Sequence, residues 1–185
     1  FINPMAMDEN SDIIYMSAGN KLWRNNDIAN IPYNNSHEKS DLGWEMFSDT
    51  LYNPTLGITA ITTSTNPANI VYLGTKYKKI YRIDNANVGD PAIVELTSPL
   101  VGSNSYVSDI AVNPNNAEEV MVVYSNYSCY SLFHSLDGGQ TWNKVAGNLE
   151  QTNSGGGNGP SCRTAEIIPL GSNTLYVVGT SVGLF

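Results

Sequence analysis

Charge is the first thing this chain lacks. Only 14% of its 185 residues are Asp, Glu, Lys or Arg, and 17 acids against nine bases leave a net charge of −8. A phosphate-backbone binder needs clustered Lys and Arg, so composition argues against a nucleic-acid partner. The same imbalance argues against an anionic membrane surface. No run of about twenty apolar residues exists, so no membrane-spanning helix is expected, and no signal peptide is recognisable. Cysteine is scarce: Cys129 and Cys162 are the two present, and His37 and His134 lack ligand spacing to them, so no metal site is expected. One disulfide or two thiols remain open, and no cofactor is called for. Helical periodicity is nearly missing, which excludes helical solenoids.

What is present is a chain 41% hydrophobic, long enough to bury a core, with much Asn, Ser, Thr, Gly and Tyr. Such a neutral polar surface suits a secreted protein. The chain opens "FINPMAMDEN" without an initiating Met and closes on the apolar "YVVGTSVGLF", which reads as a fragment of something longer. Short β-branched and aromatic runs recur between Asn, Gly and Pro. Four segments are alike: "NPMAMDENSDIIYMSAGNKLWR", "GITAITTSTNPANIVYLGTKYKKIYR", "VSDIAVNPNNAEEVMVVYSNYSCYSLF" and "RTAEIIPLGSNTLYVVGTSVGLF". Aligning Tyr15, Tyr72, Val122 and Tyr176 gives spacings of 57, 50 and 54 residues. An all-strand repeat near this length predicts an all-β fold of β-propeller type, with about three and a half four-stranded antiparallel blades. The blades fall at 1–50, 51–98, 99–148 and, incomplete, 160–185. The expected strands are 1–7, 12–17, 21–24 and 43–48; then 58–63, 69–74, 79–83 and 92–97; then 107–112, 119–125, 129–135 and 142–146; then 164–169 and 174–180, with "GLF" beginning a third strand. An unclosed set leaves sheet faces and edges bare, so the remaining blades of a parent chain, or a second copy, are expected to close it.

One stretch, "HSLDGGQTW" at 134–142, is denser in special residues than its surroundings. Asp and Gly-Gly suit a tight turn between the third and fourth strands of the third blade, with Thr141 bonding across it and Trp142 folding over it as a lid. Ser135, Asp137, Gly138, Gly139, Thr141 and Trp142 also match S-x-D-G-G-x-T-W. This pattern resembles the Asp-box, or BNR repeat, of sialidase-like, sortilin-like and xyloglucanase-like propellers. The "VNPNN" turns and the "VGTSVGLF" ending resemble secreted repeat proteins of Bacteroidetes-type bacteria. "RNNDIANIP" and "RIDNANVGDP" read as relics of the same turn in the first and second blades. The resemblance implies that the turn is architectural and lies on the face away from any active site.

The opposite, upper face then carries the candidate loops 51–57, 74–79, 98–106, 125–129 and 147–163. On them Tyr77, Tyr106 and Tyr127, with Arg163, form an expected sugar-binding surface, rings stacking on pyranose faces and Arg holding a carboxylate. "SGGGNG" at 154–159 lacks the helix and the Lys-Ser/Thr pair of a phosphate loop and reads as a surface loop. Cys129 and Cys162 fall on the upper side of neighbouring blades and are a disulfide candidate, which would place the protein in an oxidising compartment. No catalytic set is complete. Sialidase-like chemistry implies three converging Arg, but Arg24 and Arg82 sit on third strands away from the channel, and only Arg163 is placed to reach its upper centre. Xyloglucanase-like chemistry implies two opposed carboxylates, for which Asp109 and Glu166 are present on inner strands but read as local structural groups. The expected function is a non-catalytic propeller module of an extracellular or cell-surface protein, binding a glycan or protein partner through its upper loops. Part of a glycoside hydrolase is the alternative. An assembly factor of the kind photosynthetic organisms use is a third reading, weakened by the missing basic patches.

Overall fold

The computed structural model describes residues 3–31, 41–49, 51, 55, 57–102, 104–125, 127, 129–150, 152 and 159–185. Sheet I comprises β1 (Met5–Asp8), β2 (Ile13–Ala18), β3 (Lys21–Asn25) and β4 (Trp44–Met46). Sheet II comprises β5 (Ile58–Thr65), β6 (Ala68–Thr75), β7 (Ile80–Ile83) and β8 (Val94–Glu95). Sheet III comprises β9 (Val107–Asn113), β10 (Asn116–Tyr124), β11 (Leu132–Ser135) and β12 (Asn143–Lys144). Sheet IV comprises β13 (Cys162–Leu170), β14 (Asn173–Thr180) and β15 (Gly183–Leu184). Within each sheet neighbours are antiparallel and follow chain order.

The first strands touch in series, β1 with β5, β5 with β9 and β9 with β13. Each contact carries a polar stitch. Thr63 Oγ1 donates to Met7 O at 3.0 Å, Thr59 Oγ1 to Val107 O at 2.6 Å, and Asp109 Oδ2 accepts from Thr164 Oγ1 and Ala165 N. The core lies between the sheets. In β6 the faces alternate: Val71 and Leu73 pack with Tyr15, Leu22 and Ile83, while Ile70 and Tyr72 pack with Val120 and Val122. With both faces buried, the strand reads as the continuous apolar run "IVYL", and each buried aliphatic side chain contributes about 1.5–3 kcal/mol. β14 carries a similar run, but Leu175 and Tyr176 stay 47% and 42% exposed.

A one-residue bulge recurs at the head of β5, β9 and β13, between Ile58 and Ala60, Val107 and Asp109, and Cys162 and Thr164. Counting from it, Met121 and Val177 are the equivalents of Tyr72, not Val122 and Tyr176. The sequence alignment slips by one because apolar runs do not reveal an extra unpaired residue, and one step changes the face. The third strand of sheet III also begins at Leu132, not 129, since Ser131 N donates to Glu150 Oε1 at 2.8 Å.

This register aligns Arg24, Arg82 and His134, which pair with Tyr15, Tyr72 and Met121. Each pins one junction. Arg24 donates to Ala86 O and Gly89 O of sheet II at 2.7 and 2.6 Å. Arg82 grips Glu118 of sheet III at 2.8 and 3.0 Å. His134 lies 3.0 Å from Glu119 Oε1, which also accepts from Tyr176 OH of sheet IV at 2.6 Å. The equivalent tyrosines differ. Tyr72 OH donates to Ala117 O at 2.9 Å and accepts from Arg82 Nη1 at 3.0 Å, whereas the buried Tyr15 OH has no partner among the described residues. Tyr72→Phe is therefore expected to cost about 1–3 kcal/mol, and Tyr15→Phe close to nothing. Paired urea unfolding curves check this, and equal losses would contradict it.

Candidate functional site

Alternating strand direction puts the first-to-second and third-to-fourth turns of every sheet at one end, here called lower, and the sheet-to-sheet connections at the other. The 135–142 turn is lower. Ser135 Oγ accepts from Asp137 N at 3.3 Å and Gly139 N at 2.8 Å, and donates to Asp137 Oδ1 at 2.7 Å. Asp137 accepts from Thr141 Oγ1 at 2.6 Å and Thr141 N at 2.9 Å. These bonds, first the hydroxyl and then the amide of Thr141, hold its carboxyl down at about 2. Gly138 and Gly139 have φ of +68° and +88°, a region that favours glycine. Trp142 lies over Gly139, and its indole N–H donates to Thr97 O, beyond β8, at 2.7 Å. Gly138 N donates to Glu118 O at 2.9 Å beside the Arg82–Glu118 pair. The Ser135, Asp137 and Thr141 side chains are thus spent within the turn, and Trp142 clasps it onto sheet II. In sheet I, Asn25 stands where Ser135 does and accepts from Asp27 N at 2.8 Å, the counterpart of the bond from Asp137 N to Ser135 Oγ.

The upper end holds a cavity of about 550 Å³ where sheets I, II and III meet. Its wall includes Pro4, Gly19, Gly57, Thr59, Lys76 and Tyr106. Backbone bonds fix that wall: Ile58 N to Gly19 O at 3.0 Å, Lys76 N to Gly57 O at 3.1 Å and Lys78 N to Ser105 O at 2.6 Å. Lys76 is exposed, lies 5.4 Å from the Tyr77 ring centre, and forms no ion pair among the described residues. Of the four residues expected to bind sugar, Tyr106 lines this cavity at 38% exposure, and Tyr77 adjoins it through Lys76. Tyr127, 71% exposed, and Arg163, in the β13 bulge, do not line it. Sequence reasoning missed Lys76. No residue pattern in "KYKK" marks it: Lys79 pairs with Glu95 and Lys78 Nζ donates to Val101 O, and these partners, distant in sequence, leave Lys76 without such a bond among the described residues.

A second cavity, of about 370 Å³, lies along the inner strands and is lined by Asp109, Glu166 and Thr63. Asp109 is engaged by Thr164 and Ala165, and the Glu166 carboxyl is pushed up, first by burial and then by Asp109. Among the described residues no cluster of His, Cys, Asp and Glu suits a metal ion.

Cys129 and Cys162 are buried thiols in the structure, without the expected disulfide. They lie close enough that Cys129 adds to the burial that pushes the Cys162 thiol up. Denaturing alkylation without reductant is expected to add two labels, and alkylation of the native protein far fewer; an unlabelled denatured mass would contradict the thiol state. Residues 154–158 of the "SGGGNG" loop lie outside the described residues.

No helix among the described residues is long and apolar enough to cross a membrane. No protein-family model matches the chain, and no curated protein matches it significantly. Solved structures do. Over 96% of its length the chain superposes on a GH74 xyloglucanase from Xanthomonas campestris, with a TM-score of 0.59 and 14% identity. Over 98% it superposes on YCF48 from Cyanidioschyzon merolae, with a TM-score of 0.62 and 16% identity. It spans 26% of the first chain and 48% of the second. Both are β-propellers, and at this identity the likeness is one of fold. The series of touching first strands, the four antiparallel sheets and these superpositions lead to one conclusion: the sheets are blades, and the chain has a β-propeller fold.

Proposed function

We propose that the chain is a non-catalytic propeller module of a secreted or cell-surface protein that binds a glycan or protein partner through its upper loops, with a glycan favoured. The observation that carries this reading is the upper cavity, where an aromatic ring and a cation face open space on a wall braced by backbone bonds. Rigid scaffolds with recognition groups on their loops are the usual form of a binding module. The lower turn, an Asp-box in pattern, spends its Ser, Asp and Thr side chains on bonds within itself and its indole N–H on the neighbouring sheet, which supports the division of labour. Native gels cast with soluble polysaccharides test the reading. Retardation by at least one polysaccharide, reduced in Tyr106→Ala, is expected; unchanged mobility in all of them would contradict glycan binding.

A second reading, part of a glycoside hydrolase, is favoured by one observation. Asp109 and Glu166 share a cavity, and Glu166 is held toward the protonated form that a general acid needs. Release of reducing ends, lost in Glu166→Gln, is its test.

A further inference from the structure

Resting on the glycan-binding reading, we propose that the upper cavity is a subsite for an acidic sugar, its carboxylate taken by the Lys76 ammonium and its ring face by Tyr106. The argument begins with charge. Four cavities can be compared. The inner-strand cavity carries Asp109 and Glu166. A lower one, at the junction of sheets I and II, carries Arg24 neutralised by Glu45, with Asp90 beside them. A third, between sheets III and IV, is mainly apolar and carries His134, which is bound to Glu119. Among the described residues, no carboxylate lines the wall of the upper cavity, and Lys76 has no ion pair. In a molecule of net charge −8, this is the one of the four where an anion meets a cation without an ion pair among the described residues.

The chemistry of the wall narrows the anion. Among the described wall residues there is no Arg to supply the forked recognition that suits phosphate. The site offers a point charge, its position held against the Tyr77 ring, and an aromatic plane at Tyr106. A point charge beside an aromatic plane matches a carboxylate on a pyranose. The volume, about 550 Å³, lies in the range of small-ligand sites.

Calorimetric titration of the 185-residue protein with trigalacturonate and with its methyl ester tests the proposal. The acid is expected to bind about tenfold more tightly than the ester, a ratio that shrinks at high salt. Lys76→Gln, a surface change that leaves the fold intact, should weaken the acid about tenfold and leave the ester unchanged, while Lys144→Gln in β12 changes neither. Tyr106→Ala should weaken both. If acid and ester bind alike, or if Lys76→Gln acts no differently from Lys144→Gln, the acidic-sugar assignment is overturned, while a Tyr106 effect keeps the glycan reading alive. If neither ligand binds, the assignment fails, and retardation in the polysaccharide gels then decides the wider reading separately.

Discussion

Gly138→Ala is expected to destabilise the protein by about 3 kcal/mol, the larger part of it lost between two blades and not within one turn. An alanine at φ +68° costs about 1–2 kcal/mol in itself. Its Cβ would also stand 2.1 Å from Arg82 Nη1 and 2.3 Å from Glu118 Oε2, forcing apart the ion pair that joins sheets II and III. Arg82 is largely buried and also serves Tyr72 OH, so its displacement leaves several groups unpaired. Two neighbours separate the contributions. Gly139→Ala meets Leu96 Cδ1 at 2.6 Å, the tip of a flexible side chain, and should cost about 2 kcal/mol. Gly19→Ala has nearly the same φ, +66°, with nothing within 4 Å, and should cost about 1 kcal/mol. Urea midpoints at unchanged slope measure all three. If Gly138→Ala is no worse than Gly19→Ala, the turn does not clasp the blades.

The second large effect lies at Glu119, between sheets III and IV. Only 8% exposed, it accepts from Asn113 Nδ2 and Tyr176 OH, both at 2.6 Å, and from His134 at 3.0 Å. Glu119→Ala strands these donors and should cost about 3 kcal/mol. Burial alone would raise this carboxyl, but the bonds from Tyr176, Asn113 and His134 together outweigh burial and hold it below the usual range. A folded-state value below the unfolded one, about 4.3, means that the stabilisation is present above that pH and is lost as pH falls through the folded value. Asp137, held at about 2, acts in the same direction. Stability should therefore fall steeply from about pH 4.5 downward, and Glu119→Gln should flatten that limb while lowering stability at pH 7. Parallel limbs for the two proteins would contradict this assignment.

Much of the fold is legible in the sequence, because each strand carries its own apolar run and each turn its Asn, Asp, Gly or Pro. The 135–142 turn is legible for the same reason, since its bonds close within eight residues. What is not legible is what depends on distant partners. Arg82 reads as a surface charge until Glu118 is placed beside it. Nothing in "KYKK" distinguishes its three lysines until Glu95 claims Lys79 and Val101 claims Lys78, which leaves Lys76 at the cavity. The slip from Met121 to Val122 has a similar origin, because a bulge is a property of pairing and leaves no residue signature in "VSDIAVN".

Hydrogen–deuterium exchange with and without trigalacturonate tests the division between a recognition end and an architectural end most directly. Added ligand should slow exchange at 57–59, 76–79 and 104–107 and leave 135–142 unchanged. Slowed exchange centred on 135–142, or none anywhere at saturating ligand, would contradict it.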